Sequence, residues 1–231
     1  MDREPVGMGQ EAPVQIAVGA VNLQGSLAVP VGVQGVVLFA HGSGSSRHSP
    51  RNRYVSHVLQ EAGLATLLMD LLTSEEERID EQTRELRFNI GFLSDRLVEA
   101  TDWLGRYPAT RDLAIGYFGA STGAAAALVA AAERPAKIGA VVSRGGRPDL
   151  AGTALLRVQA PTLLLVGGDD YAVITLNEQA LKQLASTEKE LVIVPGATHL
   201  FEEPGTLDEV ARLAADWFTR HLGQSPISRT V

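Results

Sequence analysis

The sequence predicts an α/β fold, with helices on both sides of a mostly parallel sheet. Two observations carry the layered fold. Short apolar runs without polar alternation recur along the chain, as strands buried on both faces require. Segments of helical period separate them, which places helices over both sides of the sheet. A third observation concerns domain count. No Pro/Gly/Ser-rich linker or repeat divides the 231 residues, so they read as one domain with 1–12 and 224–231 as flexible tails.

Taken in order, the chain opens on a hairpin. Val14, Ile16 and Val18 alternate before Gly19, and Leu23, Leu27 and Val29 share a face after it. The apolar runs follow: VVLFA (36–40), ATLLM (65–69), LAIGYF (113–118), AVVS (140–143), TLLLVG (162–167) and LVIVP (191–195). Between them, Leu93, Leu97, Ala100 and Leu104 recur at helical spacing, and 176–184 reads as a further helix. The last helix, TLDEVARLAADWFTRHL, sets Thr206 and Glu209 at capping-box spacing and Val210, Leu213, Ala214, Trp217 and Phe218 on one face. The dense charge of 73–87 reads as a solvated helix, with a small flap over a pocket as the alternative.

From Leu113 to Ala132 the chain carries no charged residue, a length close to the ~20 apolar residues of a membrane span. Gly119, Ser121, Thr122 and Gly123 break its middle, and alanine is a poor lipid-facing residue. It divides better into a strand, a turn and an alanine-rich helix that ends at Pro135.

The formal charge of −7, without any basic run, disfavours a nucleic-acid partner. The absence of cysteine excludes disulfides, thiolate metal sites and a cysteine nucleophile, and suits a reducing compartment. MDREPVGMGQEA lacks the basic and apolar regions of a secretory signal, so a cytoplasmic protein is expected. The expected partner is a small ester-like molecule, not nucleic acid or membrane, with a homodimer left open.

Gly119-Ala120-Ser121-Thr122-Gly123 matches G-x-S-x-G between a strand and a helix. A serine on so sharp a turn exposes its Oγ, and the flanking glycines remove Cβ atoms that would collide as strand and helix close. Such a serine is a weak nucleophile until a base takes its proton. Of five histidines, His41, His48, His57, His199 and His221, only His199 lies in the loop just after the last apolar run, where functional groups of such sheets collect. The acid that orients it should end the preceding strand, where Asp169 and Asp170 stand, with Asp149 a third candidate. An oxyanion would need two amide donors: Thr122 N–H, and Ser43 N–H from the Gly-flanked loop after VVLFA. Arg144 and Arg147 either bind a substrate carboxylate or stand on the surface, paired with Asp149 or solvent.

FAHGSGS, GYFGASTG, VGGDDYAV and GATHLF together resemble the α/β-hydrolase superfamily, and within it the small dienelactone-hydrolase-like proteins, from about Val14 to Leu222, which implies the α/β-hydrolase fold, a mixed, mostly parallel eight-stranded sheet flanked by helices with a minimal cap. In that family a G-x-x-D-x-x-V motif carries the acid. Gly167, Asp170 and Val173 fit that register, so the resemblance implies Asp170. The chain departs from dienelactone hydrolases proper in having Ser121 where they look to a cysteine.

The expectation is therefore a serine hydrolase of small or short-chain esters, needing no metal or organic cofactor, with a thioesterase or lactone hydrolase as the alternative. Two rivals stand against it. Gly42-Ser43-Gly44 followed by Asp70 suggests a nucleotide-binding fingerprint, but Arg47 replaces its third glycine and Pro50 delays the helix. A non-catalytic scaffold would have no use for the serine, the acid, the histidine and the Gly-rich loop together.

Overall fold

A computed structural model describes residues 11–223. The hairpin is formed by β1 (Glu11–Val18) and β2 (Val21–Ala28). The six apolar runs become β3 (Gly35–Ala40), β4 (Ala65–Met69), β5 (Ala114–Ala120), β6 (Ile138–Arg144), β7 (Thr162–Gly167) and β8 (Lys189–Val194). All eight join one sheet in the order β1-β2-β4-β3-β5-β6-β7-β8. β1 and β2 run antiparallel to their neighbours, and β3 to β8 are parallel, so the sheet is mixed. The tails expected over 1–12 and 224–231 lie outside the described residues, except Glu11 and Ala12, which belong to β1.

Burial on both faces explains why the inner strands read as unbroken apolar runs. Along β3, Val36, Leu38 and Ala40 join one core cluster, while Val37 and Phe39 join another on the opposite face. Two helices, α1 (Pro50–Glu61) and α6 (Thr206–Leu222), cover the second cluster. The first is covered by α3 (Ile90–Leu104), α4 (Thr122–Glu133) and α5 (Tyr171–Gln183). At the edge, β8 is only partly covered, and Ile193 is exposed. Among the described residues no helix is long and apolar enough to cross a membrane.

The capping box expected at Thr206 and Glu209 does not form. The chain enters α6 through Gly205 at φ 81°, so Thr206 is already the first helical residue and turns its hydroxyl back to Glu203 O at 2.7 Å. Glu209 pairs with Arg212 instead. The same T-x-x-E spacing does cap α2 (Ser74–Thr83), where Thr73 Oγ1 accepts the Glu76 N–H and Glu76 Oε2 accepts the Thr73 N–H.

From β3 the sheet grows in both directions, to β4 on one side and β5 on the other. Such a reversal of strand order opens a crevice at the carboxyl ends of the two diverging strands. The loop 41–44 leaves β3 there, and Ser121 leaves β5.

Candidate active site

Ser121 sits between β5 and α4 at φ 51°, ψ −121°, a backbone region that side-chain-bearing residues rarely occupy. The turn is locked from both ends. Ser121 N–H donates to Arg144 O at 3.3 Å, and Arg147 N–H donates to Ser121 O at 3.1 Å. A Cβ on Gly119 would lie 2.4 Å from Ala124 Cα, and one on Gly123 2.3 Å from Ala40 O, so no larger residue fits on either side. Ser121 Oγ makes no hydrogen bond within the described chain.

Beyond β6, at the ends of β7 and β8, the structure brings Asp170 and His199 together, with His199 Nδ1 2.7 Å from Asp170 Oδ2. A carboxylate in that place fixes Nδ1 as the protonated nitrogen and leaves Nε2 as acceptor. Asp170 is the residue before α5, with its side chain 15% exposed against 39% for His199. Of the other acid candidates, Asp169 is exposed, and Asp149 is taken by Arg147 in a two-pronged ion pair at 2.9 and 2.8 Å. Gly145 separates the serine turn from the histidine loop; a Cβ there would lie 3.0 Å from His199 O.

The loop after β3 presses against the turn closely enough that a Cβ on Gly42 would lie 3.0 Å from Ser121 Cβ. Thr122 N is the first amide of α4, which by position has no acceptor within the helix. Ser43 N–H, the other expected donor, is directed at Thr122 Oγ1 at 3.0 Å. An incoming carbonyl oxygen would therefore replace or share that hydroxyl as its acceptor.

His41 holds the same loop in place. Nδ1–H donates to Gly42 O at 2.9 Å, and Nε2 accepts the Leu71 N–H at 3.0 Å, an arrangement only the neutral ring can make. Burial lowers the His41 pKa from its ordinary value, outweighing the Gly42 carbonyl and the Asp70 and Glu77 carboxylates, which raise it. Folded His41 thus holds its proton less tightly than the unfolded chain does. Its contribution to stability is intact above about pH 6.5 and declines as pH falls below that value. Between pH 7.5 and 5.5 the urea midpoint should drop, and drop less in His41→Gln, whose amide oxygen can still accept the Leu71 N–H. Equal drops would mean that His41 is not the linked group.

A pocket opens on the far side of this loop. It touches the candidate centre only through Ser43 and Thr122 and does not include Ser121, Asp170 or His199. Leu71, Leu72 and Leu93 give it an apolar lining, and Asp80 and Arg87 close one wall. The charged segment 73–87 is therefore more than a solvated helix. Asp80, fully buried on α2, accepts the Leu86 and Arg87 amides at 2.7 and 3.1 Å and the Arg87 guanidinium at 2.5 Å. Burial alone would raise its pKa, and these donors more than reverse that, holding it below the usual carboxylate range.

Two features have no signal in the sequence. Phe201, two residues past His199, is buried at φ 55°. Arg144 and Arg147 look alike in SRGGRPDL yet part company. Arg147 pairs with Asp149, whereas Arg144 is buried with Nε and Nη1 unpartnered among the described residues.

The Dienelactone hydrolase family profile matches residues 23–222. A crystal structure of dienelactone hydrolase from Anabaena variabilis is 64% identical, with a TM-score of 0.91 over 94% of this chain and all of that one. Est1E from Butyrivibrio proteoclasticus shares the fold at 17% identity, with a TM-score of 0.76 over 92% of this chain and 99% of its own. A Mycobacterium tuberculosis protein that carries the provisional name of a phosphoribosyl transferase is 57% identical over 213 residues, 92% of this chain but 47% of its own length. The chain thus spans about half the length of the curated relatives it matches.

Proposed function

The chain belongs to the dienelactone hydrolase family, and we propose that it is a serine hydrolase that cleaves small or short-chain carboxylic esters through an acyl-enzyme. One arrangement carries this reading: a serine held at positive φ on a strand-to-helix turn after β5, with a His199–Asp170 pair at the carboxyl ends of β8 and β7 in the same parallel sheet. A scaffold gains nothing from a strained serine together with an imidazole oriented by a carboxylate.

Ser121 Oγ attacks the acyl carbon, and its proton passes to His199 Nε2. The imidazolium so formed keeps Nδ1–H on Asp170 Oδ2, where the carboxylate stabilises its charge. The carbonyl oxygen, now negative, draws the Thr122 and Ser43 amides. As a charged acceptor it displaces the Thr122 hydroxyl from Ser43 N–H, because hydrogen bonds to ions are the stronger kind. His199 then returns the proton to the departing alkoxide, and water repeats the sequence to free the acid. The pocket behind Ser43 and Thr122, with its lining of Leu71, Leu72 and Leu93, supports a small acyl or alcohol group.

A fluorophosphonate probe should label Ser121, and short p-nitrophenyl esters should turn over. Asp170→Asn should slow turnover by about 10⁴-fold, since the amide stabilises the wrong tautomer, with Asp169→Asn close to wild type. A chain that resists the probe and leaves these esters intact is not a serine hydrolase.

A further inference from the structure

Arg144 ends β6 beside the serine turn, and its side chain runs beneath the loop that carries His199. There its Cζ lies 5.9 Å from the centre of the Phe201 ring, and the residue is 7% exposed. A second guanidinium enters from the first turn of α1. Arg51 gives Nη1 to Glu202, the residue after Phe201, at 2.8 Å. Consecutive loop residues therefore hold two arginines at one place.

Neither cation is satisfied. Arg144 Nε, Arg144 Nη1 and Arg51 Nε are buried without an acceptor among the described residues. Among the described residues the only carboxylate in contact with either is that of Glu202, whose side chain is 62% exposed and whose hold on Arg51 is weak. The first turn of α1 carries no acidic residue to offset its positive end. Burial first and the Arg51 charge second pull the Arg144 pKa down to about 10, which leaves it charged at neutral pH. A buried, unpaired cation beside another cation is costly unless something negative completes the group.

We propose that Arg144 and Arg51 form a binding site for a small oxyanion, a phosphate or carboxylate group, between the start of α1, the end of β6 and the loop 199–202. Guanidinium forks match the paired oxygens of such groups, and three unmet donors supply the contacts. The anion enters free in solution or as the acid group of a substrate. In either form it braces the loop that carries His199, because Phe201 and Glu202 tie that loop to both arginines.

The site can be tested without turnover. The full chain carrying Ser121→Ala should unfold at a higher Tm in sodium phosphate than in sodium chloride of equal ionic strength, and the gain should follow phosphate concentration as a binding curve. Adding Arg144→Met should abolish the gain, and Arg51→Gln should weaken apparent phosphate affinity about tenfold, the worth of one charged hydrogen bond. No gain over chloride, or the same gain in both variants, overturns the proposal. Should Arg144→Met fail to fold, Arg51→Gln, whose side chain is partly exposed, carries the test.

The two sources separate in the active chain, using the monomethyl and dimethyl esters of succinic acid. If a substrate acid group fills the site, Arg144→Met raises KM for the monoester about tenfold more than for the diester. If a free ion fills it, the variant loses the phosphate effect and both KM values shift alike. The thermal readout stands apart from the hydrolase reading, so the failure of one is not the failure of the other.

Discussion

Ser121→Ala is expected to lower kcat for a short ester by about 10⁶-fold, on the order of 8 kcal/mol of lost transition-state stabilisation, with the fold intact. The size follows from the division of labour. His199 and Asp170 serve only to move the proton of Ser121, so without Oγ their 2.7 Å contact has nothing to act on. The indifference of the fold follows from geometry. Oγ accepts and donates nothing within the described chain, and alanine keeps both the Cβ and the positive φ of 51°. Urea midpoints of the two proteins should agree within about 0.5 kcal/mol. Esterase activity surviving within tenfold of wild type would place the nucleophile elsewhere.

Gly123→Ala should have the largest effect on stability, about 3 kcal/mol or more. The new methyl would stand 2.3 Å from Ala40 O and 2.4 Å from His41 O. Both oxygens belong to backbone where β3 ends, inside a sheet that cannot shift locally, so the strain has no cheap outlet. The displaced backbone would be that of the Gly42–Ser43 loop, so activity should fall with stability. Gly105→Ala is the control. At the end of α3, with φ −68° and its nearest atom 3.6 Å away, it should be neutral or slightly stabilising. A Gly123→Ala protein with a wild-type urea midpoint would refute the close packing of β3 on the turn.

The sheet was legible in the sequence because its inner strands are buried on both faces, which leaves each as an apolar run between helix-period segments. G-x-S-x-G was legible because steric need fixes its spacing: Gly119 and Gly123 stand where any Cβ would strike backbone. What escaped depends on contacts distant in the chain. Thr73 and Thr206 have the same T-x-x-E context, yet only Thr73 caps its helix, since the approach through Gly205 makes Thr206 helical already. Likewise Arg144 and Arg147 differ only in what surrounds them after folding. The left-handed backbone of Phe201 leaves no trace, because nothing in THLFEEPG calls for a bulky residue at positive φ.

The backbone of Ser121 sets two kinds of selection against each other. At φ 51° glycine would relieve roughly 1–3 kcal/mol of strain, and its extra freedom in the unfolded chain would take back only about 0.5–1. Breeding this chain for heat tolerance alone would therefore push position 121 toward glycine and away from the hydroxyl, and the serine would persist only where turnover is part of what is selected.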